Sequence, residues 1–492
     1  MYIRLLLVVA VTLYTSRIIL AVLGVEDFGL YNVIGGLATS FVFFSSSLSN
    51  STQRFLNFEL GTGNEKGVGE IFNLSLLIHT ALAVIVFIVA EIVGLWLLEH
   101  KLVIPPDRMD ATRWVFHAVV VSLCLTLIGS VFNSVLIARE NMKVYAYIGL
   151  IEVFAKLLIV YVLVVFDVDK LKLYAVLFLL ITVLIQLFTA MICLRKYPEC
   201  KLGYYWNTGL FRSMFRFVGW NGLGTAVWAI NNQGTTILLN MFFGPVVNAA
   251  RAIASQVDAA INNFTTNFFT AVRPQIIKSY AAGDMKYFIQ LIFTSSRFSF
   301  YLMWTLCLVV MLRVDYILNL WLTTVPEYTS RFVIWTLIYS LINVLTNPFW
   351  CAIQAVGRLK IYVLVGSLVY LMAFPISYLC LRGGYNPVVP LQVLAGVRFV
   401  YLFVVIHIVK RYVDLSLFAY LRRVVMPIVL IVITSGSLMY VINRFFAADF
   451  ISLLVVGVIS VTCTLLLIFF LGITRSERNL VGNKLKKICH VQ

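Results

Sequence analysis

The chain has 492 residues, of which 61% are hydrophobic and only 12% charged, and it carries many apolar runs near the ~20 residues that a spanning helix needs. It reads as a polytopic, all-α membrane protein. The formal net charge of +17 calls for no nucleic-acid partner, because basic loops against an anionic inner leaflet account for most of it. Eight cysteines (Cys124, Cys193, Cys200, Cys307, Cys351, Cys380, Cys463 and Cys489) fall mostly in apolar segments and never in a paired metal spacing. They read as small hydrophobes, and neither a metal nor a cofactor is expected.

About fourteen spanning segments are predicted. The first six run from Tyr2 to Leu23, Leu30 to Gln53, Glu70 to Leu98, Ala111 to Ala138, Val144 to Phe166 and Leu173 to Leu194. The N-terminal run continues through Tyr14, Ser16 and Arg17 to Gly24 without a persuasive cleavage site, so it is expected to be a first helix and not a cleaved signal. Because Met1-Tyr2-Ile3-Arg4 lies almost on that helix, a short lead-in is allowed for. Six more segments run from Phe217 to Phe243, Asn248 to Val272, Phe288 to Leu312, Phe332 to Val356, Ile361 to Leu381 and Val388 to Val409, followed by Val424 to Asn443 and Phe450 to Ile473. Pro375 removes a helix hydrogen bond and should kink the eleventh.

The eighth segment carries the most informative pattern. Arg251, Ser255, Asp258, Asn262 and Thr265 stand at i, i+4, i+7, i+11 and i+14, one face of a helix. A charged side chain at the bilayer centre costs about 3 kcal/mol on insertion scales, so this face should line a polar interior. Asp258 has two open readings, a salt-bridge partner of Arg251 or a site for a coupling ion. Arg17 in the first segment and Arg54 near the end of the second extend the set of cationic candidates, and Arg297 and Arg398 are held in reserve. Amides suited to sugar hydroxyls accompany them: Asn32 and Asn50 on the second segment, Asn232 and Gln233 on the seventh. Glu152 and Lys156 form an i, i+4 pair expected to neutralise itself.

Twenty-four of the 38 Lys and Arg fall at the ends and loops that are cytoplasmic if the N-terminus is inside, against nine on the other side. The excess places both termini in the cytoplasm. Two halves also resemble each other. VLGVEDFGLYN aligns with FFGPVVNAARA, pairing Gly24 with Gly244, and Gly63-Asn64 pairs with Gly283-Asp284 at the same offset of 220; Lys143-Val144-Tyr145 pairs with Lys360-Ile361-Tyr362 at 217. Two parallel six-helix lobes are expected, 1-194 and 217-409, joined by a cytoplasmic loop at 195-216 and followed by helices 13 and 14 at 424-473 and a basic cytoplasmic tail at 474-492.

The stretches SRIILAVLGVEDFGLYNVIGG, SSSLSNSTQRFLNFELGTGN and KLVIPPDRMDATRWVFH resemble bacterial polysaccharide-biosynthesis proteins of the Wzx type, in the multidrug/oligosaccharidyl-lipid/polysaccharide exporter superfamily. The resemblance implies two bundles around a central cavity, location in the bacterial inner membrane, and flipping of an undecaprenyl-pyrophosphate-linked oligosaccharide, such as an O-antigen unit, between leaflets. It also implies a polysaccharide polymerase as partner. The related lipid II flippase uses arginines of its first, second and eighth helices to hold pyrophosphate, and Arg17, Arg54 and Arg251 occupy those helices here by position and approximate depth.

Two other functions compete. A cation-coupled multidrug antiporter of the same superfamily would favour acidic residues over this chain's arginines. A membrane-embedded polymerase or glycosyltransferase would need reactive groups on long outer loops, and the longest here, Glu99 to Asp110 and Arg313 to Arg331, offer no such constellation. No GxxxxGK[ST] loop is present.

Overall fold

The computed structural model describes residues 2–39, 42–139, 141–166, 168–356, 358–474 and 477–479. Every regular element among them is helical. Among the described residues eleven stretches are long and apolar enough to cross a membrane, which makes the chain a polytopic membrane protein. One of the eleven, Val11–Gly36, is not a straight helix, because Gly24 inside it has φ 78° and ψ 170°. The chain turns there, so that α1 covers 2–23, and α2 is described in two stretches, 25–39 and Val42–Thr62. The other ten are α3 (Glu65–His100), α4 (Pro106–Ala138), α5 (Lys143–Val165), α6 (Lys170–Lys196), α9 (Met285–Leu312), α10 (Thr329–Val356), α11 (Lys360–Arg382), α12 (Val389–Lys410), α13 (Leu417–Asn443) and α14 (Phe450–Gly472), and two long, more polar helices, α7 (Thr208–Phe243) and α8 (Pro245–Ala281), stand between α6 and α9.

Several ends differ from the hydropathy reading for identifiable reasons. α2 begins before Leu30 because Glu26 and Asp27 suit a helix N-terminus, and Asp27 is bound there by Arg108. α7 begins well before Phe217 because the Asn207 side chain accepts from the Leu210 amide at 3.0 Å, a cap outside the apolar run. α11 is interrupted at Met372, three residues before the predicted kink residue Pro375. A break in α10 at Leu345 and Thr346 and π turns at Ala90–Gly94, Leu421–Val425 and Ile468–Gly472 leave no mark in the hydropathy pattern.

The internal repeat reappears in the backbone. Gly244, between α7 and α8, has φ 80° and ψ −173°, nearly the values of Gly24. Gly63 and Gly283 both adopt positive φ, 73° and 74°, which costs glycine little. The Asn64 side chain accepts from the Gly67 amide, and Asp284 accepts from Tyr287. Backbone bonds match as well: Asn64 to Glu59 at 3.0 Å and Asp284 to Ser279 at 3.1 Å.

Two compact units emerge from the packing. One comprises Met1–Ala252, Leu322–Thr329 and Ser367–Pro390; the other comprises Ile253–Trp321, Ser330–Gly366 and Leu391–Gln492. In the first, Leu56, Phe72, Phe132, Val135 and Cys193 form a core between α2, α3, α4 and α6, with Phe72 edge-on to Phe132 at 5.6 Å. The loop after α6 is fastened to this unit: Asn73 accepts from the Gly203 amide and donates to the Lys201 carbonyl, and Arg139 pairs with Glu199. Cys200 in that loop is buried, which pushes its thiol up to about 12 and keeps it an unreactive apolar group. In the second unit, Tyr420 is fully buried against Phe293 and Phe349.

Candidate functional site

In the first unit, buried polar side chains gather where α7 turns into α8. Arg251 is 8% exposed, and its Nη2 donates to the Asn232 Oδ1 at 3.5 Å. One turn before it on α8, Asn248 is 1% exposed, and neither its amide oxygen nor its amide nitrogen has a hydrogen-bond partner among the described residues. The Asn231 carboxamide oxygen and the Asn240 nitrogen are also buried without partners among the described residues, although Asn240 accepts from the Val103 amide at 2.9 Å. Buried amide atoms normally find partners. Asn231 adjoins Asn232 and Asn248 stands one helix turn from Arg251, so the two helices that carry the Arg251–Asn232 contact hold unused donors and acceptors, the groups that bind hydroxyls and anionic oxygens.

α2 contributes its flank to this region. A Cβ at Gly36 would lie 2.7 Å from the Gln233 Oε1, and a Cβ at Gly29 would overlap the Pro245 carbonyl. Only glycine permits helices to approach that closely. Asn32 donates to the Phe28 carbonyl of its own helix at 2.6 Å and is half-buried. Arg17, on α1, is exposed and makes no hydrogen bond or ion pair among the described residues. The side chains of Asn50 and Arg54 lie outside what the structure describes.

The second unit holds two further polar groups. Asp258 accepts from Asn262 at 2.8 Å, and Asn262 also reaches Ser340 at 3.3 Å. Ser255 on the same helix is exposed. Arg398 on α12 donates to Asn343 and, at 3.0 Å, to Thr346, and its guanidinium lies 4.5 Å from the Tyr401 ring centre. Asn343 and Thr346 sit at the break in α10, where interrupted backbone gathers polar groups inside a membrane protein. Arg297 is placed elsewhere, in an ion pair with Glu477.

The structure thus brings Arg251 to Asn232, beside Gln233, and Asp258 to Asn262, while Arg297 is joined to the segment after α14. Sequence reading missed Asn248, Asn343, Thr346 and Glu477. Asn248 was findable, since it lies three residues before Arg251 on one helix face. Glu91 and Lys156, both inside apolar segments, are paired with His117 at 3.0 Å and Glu152 at 2.6 Å. Among the described residues no group of His, Cys, Asp and Glu is arranged to hold a metal ion.

No protein-family model matches the chain, and no curated protein matches it. Solved structures do. A multidrug resistance MATE family transporter of the MOP superfamily, in its inward-facing conformation, aligns with a TM-score of 0.67 at 14% identity, over 82% of this chain and 96% of that one. The lipid II flippase MurJ, in an inward closed conformation, aligns with a TM-score of 0.66 at 12% identity, over 94% and 97%. A MOP superfamily transporter from Pyrococcus furiosus aligns with a TM-score of 0.53 at 14% identity, over 84% and 96%. The chain has the fold of MOP-superfamily membrane transporters.

Proposed function

We propose that the chain is a flippase that moves undecaprenyl-pyrophosphate-linked glycan units from the cytoplasmic to the periplasmic leaflet of the inner membrane by alternating access, for surface polysaccharide biosynthesis. The observation that carries this reading is the buried Arg251 set among amides, Asn232 and Asn248 above all. A pyrophosphate needs fixed positive charge in a low-dielectric path, and guanidinium presents it with planar donors. Glycan hydroxyls need the mixed donors and acceptors that carboxamides offer. In this reading the lobes 1-194 and 217-409 enclose the path, Arg17, Arg54 and Arg251 handle the pyrophosphate, both termini are cytoplasmic, and a polysaccharide polymerase takes up the product.

Fluorescent undecaprenyl-pyrophosphate oligosaccharide in proteoliposomes tests the reading. Wild type should flip it, and Arg251→Ala should slow flipping by about tenfold to a hundredfold, the worth of one hydrogen-bonded charged group. Arg17→Ala should also slow it. Unchanged rates in both variants would remove the cationic path. A second reading, cation-coupled multidrug efflux, is favoured by the Asp258–Asn262–Ser340 group and by the MATE likeness. Exchange of a cationic drug for sodium or protons, lost in Asp258→Asn, with no glycan transport, would replace the first reading by the second.

A further inference from the structure

A cavity of about 580 Å³ lies in the second unit, away from the Arg398 group in its lining, between α9, the start of α13 and the segment after α14. Its charged lining consists of Lys286 and Arg297 from α9, Arg422 and Arg423 from α13, and Glu477. The single acid is fully committed. Glu477 accepts from Arg297 at 2.6 Å, from Thr294 at 3.4 Å and from the Thr474 amide at 2.8 Å, and its own amide donates back to the Thr474 hydroxyl at 3.4 Å, a reciprocal cap. Arg297 Nη1 is taken up by the Arg423 carbonyl, while its buried Nε has no acceptor among the described residues.

Lys286, Arg422 and Arg423 are exposed and have no ion-pair partner among the described residues. Residues 478–492 contain no Asp or Glu and add Arg478, Lys484, Lys486 and Lys487. Three cations therefore converge on a cavity whose own acid is spent on a fourth. The Leu421–Val425 π turn carries both arginines, and such turns recur at functional positions. Immediately beyond it, Met426, Val429, Leu430 and Ile433 are exposed and apolar. The arginines thus stand where a membrane helix passes from hydrocarbon to the polar layer, the depth of lipid phosphates.

We infer that this cavity is a binding site for a phosphate-bearing anion, supplied by the headgroup of an anionic membrane lipid or by a soluble phosphate compound. It does not rest on the flippase reading. The test uses the full chain, purified in neutral detergent and delipidated, titrated with dihexanoyl-phosphatidylglycerol, dihexanoyl-phosphatidylcholine and inorganic pyrophosphate. At about 1 kcal/mol per basic residue, Arg422→Gln/Arg423→Gln should weaken binding about thirtyfold and Lys286→Gln about fivefold. Lys286 makes no hydrogen bond or ion pair among the described residues, so its variant stays informative if the double variant does not fold.

Phosphatidylglycerol binding with these losses, and phosphatidylcholine indifferent to the variants, supports the site with a lipid as its source. Pyrophosphate bound more tightly than phosphatidylglycerol with the same losses supports the site with a soluble source. Absence of binding by either anion, or affinities that Lys286→Gln and the double variant leave unchanged, overturns it.

Discussion

α3 and α9 follow matching glycine turns 220 residues apart in sequence, yet they are dressed differently. Val68, Phe72 and Ser75 of α3 correspond at the offset of 220 to Phe288, Ile292 and Ser295 of α9, and all six are buried. Around this shared core, the buried polar contacts of α3 are neutral: Ser75 accepts from Thr52 at 3.2 Å, and its carbonyl binds His79 at 2.7 Å. α9 instead reaches the C-terminal helices through Arg297 to Glu477, Tyr301 to the Gly472 carbonyl at 2.9 Å and Trp304 to Ser435 at 2.9 Å. Arg313, just past its end, donates to the Ala447 and Phe446 carbonyls. The two stretches share their turns and buried core positions, and the polar chemistry follows what each packs against.

The contrast breaks most visibly at the ion pair. Glu477→Ala strands a guanidinium that is 5% exposed, and removing one partner of a buried pair costs about 3–5 kcal/mol. Ser75→Ala, at the corresponding depth of the first half, should cost only about 1 kcal/mol for a lost neutral hydrogen bond. Thermal unfolding of the detergent-solubilised chain separates the two. Equal melting temperatures for Glu477→Ala and Ser75→Ala would mean that α9 is not tied to the C-terminal segment by charge. Trp304→Phe, which removes the bond to Ser435, should fall between wild type and Glu477→Ala, at about 1 kcal/mol.

Much of the scaffold was legible because bilayer-length apolar runs and glycine turns leave local signals. Gly24, Gly63, Gly244 and Gly283 could be paired by offset alone, and their backbones agree. The site was only partly legible. Periodicity marks the face that carries Arg251 and Asp258, but nothing local tells which side chain Arg251 meets, since Asn232 is nineteen positions away. Arg297 illustrates the same limit more sharply: its partner lies 180 residues on, in a short Thr-x-x-Glu cap whose meaning depends on where the chain returns. The break in α10 had a local signal that went unread: Pro348 has no amide to bind the Val344 carbonyl, and the helix stops there. What no local signal carries is the Arg398 contacts at Asn343 and Thr346, which form only once α12 is in place.

Subtler tests bear on how alike the repeated turns are. Gly63→Ala and Gly283→Ala meet no atom within 4 Å of the added Cβ, so each should cost only the left-handed backbone term, about 1–2 kcal/mol and nearly the same in both halves. Unequal losses in melting would show that one turn carries tertiary load that the other does not. The smallest effect comes from exchanging the caps. Asp284→Asn keeps an acceptor for the Tyr287 amide and should change stability by no more than a few tenths of a kcal/mol. Asn64→Asp is not its mirror image, because the Asn64 amide nitrogen donates to Glu59 at 2.7 Å. A carboxylate there faces another carboxylate, which adds about 0.5 kcal/mol of repulsion and the loss of one exposed hydrogen bond. Melting as a function of salt distinguishes these contributions: screening should restore part of the Asn64→Asp loss and leave Asp284→Asn unmoved.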